Sequence, residues 1–398
     1  MLVINKPEVF ERGNDAILQA SFVCGTEQET LWFSTPRENK SYLCHERGDA
    51  FLVGLLLYAM KRGEDITVMV PVSERLYYTL TTYYIKFMAE MFPELKKIKI
   101  FCETDAGLLD NAGAVGTGFS GGVDSFCTVV EHMAQDCPPD YRLTHLAFFN
   151  VGASGDNGGE DARKRFFERI SLVKPCTDEY GLPLVTVDSN LSDIVQMNYL
   201  HTHTWRSSAA VLALQKLFRV FYYSSGYPVK QFEADPLSSG HYDLFSLNML
   251  STHDVEFFSA GSMYSRVEKT EIISSEPLSY KYLNVCVAEE SNCSQCPKCL
   301  RTMITLDILG KLDRYDRVFN LDTYRRLKSR WVAGLIVERG VDPFKKEIHA
   351  AMHQYHFRMP LSAYAWIPLL WSYDTGYRLA AYLYITFLKP KKNRPSNL

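Results

Sequence analysis

Four glycines fall within seven residues at Gly116-Thr117-Gly118-Phe119-Ser120-Gly121-Gly122, and Val123-Asp124-Ser125 follows at once. Such a stretch, running from an apolar segment into a helical pattern, links a strand to a helix. It can be parsed in two ways. The first six residues fit G-x-G-x-x-G, the dinucleotide fingerprint, which needs a strand ahead of its first glycine. The last six fit S-G-G-x-D-S, a loop shaped for phosphate. Asp110-Asn111-Ala112-Gly113 precedes the decamer, and Asp, Asn and Gly are poor strand formers. The second parse therefore fits better, with a strand at 114–119, a loop at 120–123 and a helix from Asp124. The Walker pattern G-x-x-x-x-G-K-[ST] occurs nowhere in the chain.

The pattern around the decamer is β-α-β-α-β. Residues 144–151 form a continuous apolar strand, as expected when both sheet faces are covered. Residues 160–180 read as an amphipathic helix and 183–188 as the next strand. Alternation of this kind predicts an α/β fold with a doubly wound parallel sheet, whose ligands sit at the C-terminal strand ends. Further on, 204–223 reads as one long helix and 229–232 as a strand. Before the decamer, 50–60 reads as a buried helix, 65–70 and 97–101 as strands, and 72–92 as helical. The expected division is an N-terminal α/β accessory domain over 1–112, a central domain over 113–310 and a helical region over 311–398.

A length of 398 residues suits two or three such domains. The net charge of −3 argues against binding nucleic acid by bulk electrostatics, so no DNA partner is expected and tRNA is disfavoured. Met1-Leu2-Val3-Ile4-Asn5-Lys6-Pro7 breaks off before an apolar signal region forms. The expected compartment is the cytoplasm, where the 10 cysteines stay reduced.

The physics of the second parse is specific. Consecutive glycines let backbone N–H groups turn toward an anion, and the helix N-terminus adds partial positive charge. Ser120 and Ser125 can donate hydroxyl hydrogen bonds. Asp124 could cap the helix or help hold Mg²⁺.

Cysteines form a second motif at Cys286, Cys293, Cys296 and Cys299, spaced C-x6-C-x2-C-x2-C. Four thiolates at knuckle spacing match a closed, structural Zn²⁺ site. An iron–sulfur cluster, or three ligands with Cys286 merely buried, are the alternatives.

Ser120 to Ser125 resembles the signature of the PP-loop ATP pyrophosphatases. Together with the four-cysteine knuckle and Leu300-Arg301, it resembles the 7-cyano-7-deazaguanine synthase branch, and Ser265 to Ile273 resembles that branch's Lys-containing segment. The likeness covers roughly residues 113–306. It implies cleavage of ATP to AMP and pyrophosphate, adenylation of a carboxylate or amide oxygen, and attack by ammonia or an amine. Implied cofactors are ATP, Mg²⁺ and Zn²⁺. Nucleotide would be held by Ser120, Gly121, Gly122, Val123, Asp124 and Ser125, and by Phe149, Asn150 and Gly152 at the next strand end. Asp124, Ser125, Arg266 and Lys269 would be catalytic, the two cations neutralising the leaving pyrophosphate. The extra terminal regions and longer spacing point to a substrate other than 7-carboxy-7-deazaguanine, a small or peptide-linked carboxylate. The alternatives are a sulfurtransferase acting on tRNA and a non-catalytic ATP-binding subunit.

Several residues carry two readings. Arg206 could clamp a phosphate or carboxylate, or be an ordinary surface arginine. His201 and His203 could serve the nucleophile as bases, or be polar loop histidines. Cys127 and Cys176 read as core. The aromatic run 364–373, with the basic tail 389–395, reads as a packed helix or homodimer contact, with a membrane surface as the weaker choice.

Overall fold

The computed structural model describes residues 1–340 and 342–383. The chain divides into two compact units, Met1–Val285 and Cys286–Leu398. The expected basic tail at 389–395 lies outside the described residues.

The strands of the first unit are β1 (Leu2–Ile4), β2 (Glu8–Arg12), β3 (Asp15–Cys24), β4 (Glu27–Pro36), β5 (Ile66–Val68), β6 (Val72–Ser73), β7 (Ile100–Phe101), β8 (Thr104–Asp105), β9 (Ala114–Gly118), β10 (His145–Asn150), β11 (Leu184–Ser189), β12 (Phe218–Ser224) and β13 (Glu256–Ala260). Its helices are α1 (Asp49–Arg62), α2 (Glu74–Thr79), α3 (Ile85–Met91), α4 (Val123–Met133), α5 (Glu160–Tyr180), α6 (Leu191–Val195), α7 (Tyr199–Ala213), α8 (Asp243–Leu250), α9 (Arg266–Ile273) and α10 (Pro277–Tyr282).

One large mixed sheet runs β13-β12-β9-β10-β11-β4-β3-β1-β5-β7, with β2 paired to β3. Its five strands β13 to β11 are all parallel. From β9 the chain moves outward through β10 and β11, then returns to β12 and β13 on the other side of β9. The strand order reverses at β9, so the crevice of a doubly wound sheet opens at its C-terminal end. Both faces of this region are covered. Phe148 stacks on Phe166 of α5, while its neighbour Phe149 meets Phe221 of the same sheet, and α7 packs on β12. Successive strand residues point to opposite faces, which explains the unbroken apolar run in β10.

Residues 1–112 continue this same sheet. β4 pairs antiparallel with β11 through Ser34 and Asp188, and β3 and β4 form a long hairpin that turns at Gly25, φ +63°. The helix expected at 50–60 is α1, buried from Asp49 to Met60. It packs on α7, and the Trp205 indole N–H donates to the Val53 carbonyl.

Two expected elements are corrected. Residues 204–223 are not one helix: α7 ends at Ala213 and β12 begins at Phe218. A continuous apolar run does not separate buried helix from buried strand by periodicity. The aromatic and β-branched content of Phe218-Arg219-Val220-Phe221-Tyr222-Tyr223 belongs to a strand. The strand expected at 229–232 is a 3₁₀ turn over Val229–Gln231, and the edge strand is β13.

The second unit holds α11 (Pro297–Ile308), α12 (Leu321–Glu338), α13 (Pro343–Gln354) and α14 (Leu361–Leu383). α13 and α14 both pack on α12. Among the described residues no helix is long and apolar enough to cross a membrane.

Candidate functional site

The glycine-rich loop leaves β9 at the reversal point. Gly116 lies within the strand, where a Cβ would stand 2.4 Å from the Phe218 ring. It is therefore a packing glycine, and the turn starts only after Phe119. That removes the premise of the dinucleotide parse. Phe119 is buried edge-on against Phe126 and Tyr180, which anchors the loop to the core. Gly121 has φ +74°, and the Asn284 N–H donates to its carbonyl at 2.7 Å. Gly122 is the N-cap of α4 and offers no side-chain cap, so the first-turn N–H groups have no capping side chain there.

A Cβ at Gly121 would also meet the Tyr282 carbonyl at 3.3 Å. Gly121→Ala should cost about 1–2 kcal/mol from left-handed backbone alone, read by denaturant titration. Wild-type stability in the variant would show that the loop relaxes.

Asp124 is the hub of the loop. Its carboxylate pairs with Arg266 Nη1 at 2.8 Å and with Lys269 Nζ at 3.1 Å. Lys269, only 1% exposed, also donates to the Ser225 carbonyl at 2.5 Å. Burial pushes the Asp124 carboxyl up, but the two cations outweigh it and hold it below the usual carboxylate range. α9 presents both cations from its first turn. Its start is fixed by a capping box, in which Ser265 Oγ accepts from the Glu268 N–H and Glu268 accepts from the Ser265 N–H. The hydroxyl of Ser125 donates to the Gly122 carbonyl at 3.0 Å.

Above the loop lies a cleft of about 220 Å³. Gly118, Ser120, Gly122, Asp124 and Ser125 line one side, Phe149 and Val151 another, and Tyr199, Ser207, Tyr223 and Ser224 the third. Arg266 and Lys269 reach it through Asp124. Asn150 is buried and donates to Asp188 Oδ1 at 2.7 Å, and Gly152 adopts φ +122° beside Tyr199. Arg206 does not line the cleft. It is fully buried, and its guanidinium donates to the Asp156 carbonyl, Ser192 Oγ and the Met197 carbonyl. Burial lowers it to about 10. It ties the 156–157 loop to α6 and α7 rather than meeting the cleft, and it is no surface arginine.

The wall formed by α7 and β12 is the part that sequence reading missed. Its signal was the strand-like run at 218–223. His203 is packed there, with Nδ1 hydrogen-bonded to the Tyr223 hydroxyl and its ring stacked on Tyr223. Desolvation lowers it to about 4, so it is neutral at physiological pH.

In the second unit, the sulfurs of Cys286, Cys293, Cys296 and Cys299 all lie within 4.8 Å of one another. All four expected cysteines are thus brought together, Cys286 included, in a cluster that could hold a metal. Backbone N–H groups of Glu289, Cys296 and Cys299 donate to Cys286, Cys293 and Cys296 at 3.4, 3.3 and 3.5 Å. Desolvation pushes Cys286 up, but backbone donors outweigh it and bring it to about 7. Ser294 turns the knuckle at φ +60° and is tied to the helical region by the Asn320 N–H at 2.8 Å.

No protein-family model matches the chain, and neither does any curated protein or solved structure.

Proposed function

We propose that the chain is an ATP-dependent adenylating enzyme of the PP-loop type that joins a carboxylate or amide to an amine. One observation supports this above the others. The Ser120–Gly122 loop sits at the strand-order reversal, and Asp124 at its exit is clamped by two cations from α9. Loop N–H groups, Ser120 and the α4 N-terminus would bind the triphosphate. Phe149 offers a flat wall for the base. A substrate oxygen attacks the α-phosphorus, and the bond to the β-bridging oxygen breaks to release pyrophosphate. The amine nitrogen then attacks the activated carbon and gives up a proton to solvent, and AMP leaves with the substrate oxygen. Mg²⁺ would supply further charge neutralisation on the phosphates. Arg266 and Lys269, held beside the loop by Asp124, would neutralise charge developing on the leaving group.

The four-cysteine cluster is read as structural zinc. A Zn–S bond of ~2.3 Å in a tetrahedron sets sulfurs about 3.8 Å apart, and Cys286 and Cys296 stand at 3.9 Å. All four positions are filled by protein, which leaves none open for catalysis.

The sulfurtransferase alternative needs a thiolate near the loop. Cys127 and Cys176 are fully buried, and desolvation pushes both thiols up to about 12. That favours the amine route.

The test is product analysis with ATP labelled at the α-phosphate, Mg²⁺, ammonium and fractionated extract. AMP and pyrophosphate are the expected products. ADP would refute the mechanism, and bound ATP without turnover in any fraction would favour the non-catalytic subunit.

A further inference from the structure

Helix α14 exposes an apolar surface that a protein in water alone has little reason to present. Over residues 361–372 only Ala363 is buried, while Ile367 and Leu370 are half-buried. These three fall on one helical stripe, and α14 packs on α12. Leu361 is 88% exposed, and Tyr364 and Leu369 are each 59% exposed. Trp366 and Trp371 are exposed as well. Single exposed apolar residues are ordinary, but a contiguous run along one helix marks an interaction surface.

Charge selects among the partners. The chain as a whole carries −3, yet residues 286–398 hold 18 Lys and Arg against 10 Asp and Glu, a net +8. Part of that charge borders the apolar face. On α12, Arg326 and Arg330 are exposed. The Arg330 guanidinium lies 5.7 Å over the Trp366 ring, and Ser329 and Ser362 are hydrogen-bonded at 2.6 Å. A second copy would bring the same positive charge to a positively charged unit. A nucleic acid would use the arginines but leave the leucines in water. A negatively charged lipid surface uses both. Trp and Tyr pair an apolar body with a polar tip and favour the lipid–water boundary, and nearby Lys and Arg add attraction to anionic headgroups.

We infer that α14, flanked by the exposed arginines of α12, docks the chain on an anionic bilayer with the helix lying in the interface. Lying rather than spanning agrees with the hydropathy of the described helices. This inference is independent of the adenylation reading.

The test is flotation of the full chain with vesicles of phosphatidylcholine, with and without phosphatidylglycerol. Wild type should float with the phosphatidylglycerol vesicles and not with phosphatidylcholine alone. Leu361→Glu with Leu369→Glu, at two of the most exposed positions of the helix, should abolish flotation while the thermal melt stays unchanged. Arg326→Glu with Arg330→Glu should weaken partitioning on the order of tenfold or more, and high salt should do the same. Absence of wild-type binding to the anionic vesicles overturns the inference. So does a solution dimer that Leu369→Glu dissociates in place of vesicle binding, since the face would then join two copies. RNA binding unaffected by Leu369→Glu, without flotation, also refutes it.

Discussion

If the chain adenylates as proposed, Asp124→Asn should lower AMP formation on the order of 10²–10³-fold, because the neutral amide neither fixes Arg266 and Lys269 as an anion does nor helps hold Mg²⁺. The same position carries stability. From the sequence, Asp124→Ala is expected to stop turnover and leave folding intact. The structure changes that expectation, because Lys269 is almost fully buried and Asp124 is its only carboxylate partner among the described ion pairs. Breaking a fully buried pair from one side costs roughly 3–5 kcal/mol, and because the Asp124 side chain is 25% exposed to the cleft, water offsets part of that cost here. Asp124→Ala should therefore melt well below wild type, and Asp124→Asn, which keeps the side-chain volume, should fall less. A ligand separates the two effects. Pyrophosphate neutralises Arg266 and Lys269 in place of the carboxylate, so it should raise the melting temperature of both variants. No stabilisation by pyrophosphate, in variant or wild type, would count against phosphate binding at this loop. The pH dependence has a defined sign. Because the cations hold the Asp124 carboxyl below its unfolded value, its contribution is present at neutral pH. It is lost as pH falls through the folded pKa, and the acid limb of the stability curve should be shallower in Asp124→Asn.

Cys296→Ser should release the metal and melt the second unit. Cys296 holds two positions at once. Its sulfur stands 3.9 Å from that of Cys286, and it caps α11 by accepting the Cys299 N–H. In small zinc domains the metal contributes about 10–16 kcal/mol of folding free energy at neutral pH, comparable with the whole stability of a unit of this size. Metal analysis should read about one Zn²⁺ per wild-type chain and essentially none in Cys296→Ser after dialysis. Calorimetry should show the transition of the second unit lost and that of Met1–Val285 retained. A brown, iron-containing protein would overturn the zinc reading. Unchanged melting with metal lost would show that the cluster is not structural.

Much of this was legible in the chain. The strand, loop and helix at 114–133 follow from apolar residues, then glycines, then helical spacing, all within one local window. The cysteine cluster was legible for the same reason, since its ligands lie within fourteen positions and their spacing alone nearly closes the site. Local order in sequence then becomes proximity in space with little help from the rest of the fold.

Other features needed distant partners. β12 looked helical because a buried strand and a buried helix carry the same apolar run; its aromatic and β-branched content was the local hint, and pairing with β9 and β13 decides it. With β12 unseen, Tyr223 and Ser224 could not be assigned to the cleft. Arg206 read as a clamp or a surface residue, because its type allows both, and its burial against three oxygens decided otherwise. The joining of residues 1–112 to the central sheet rests on one short antiparallel contact between β4 and β11, which no local pattern announces.

The sequence by itself determined the glycine loop, the helix after it and the cysteine cluster, because each is set by neighbours a few residues apart. Only the tertiary structure decided the strand order that places the loop at a crevice. It alone brought Arg266 and Lys269 onto Asp124 across more than 140 residues. Long-range pairing of that kind depends on which surfaces bury one another, and burial is a property of the assembled sheet rather than of any stretch within it.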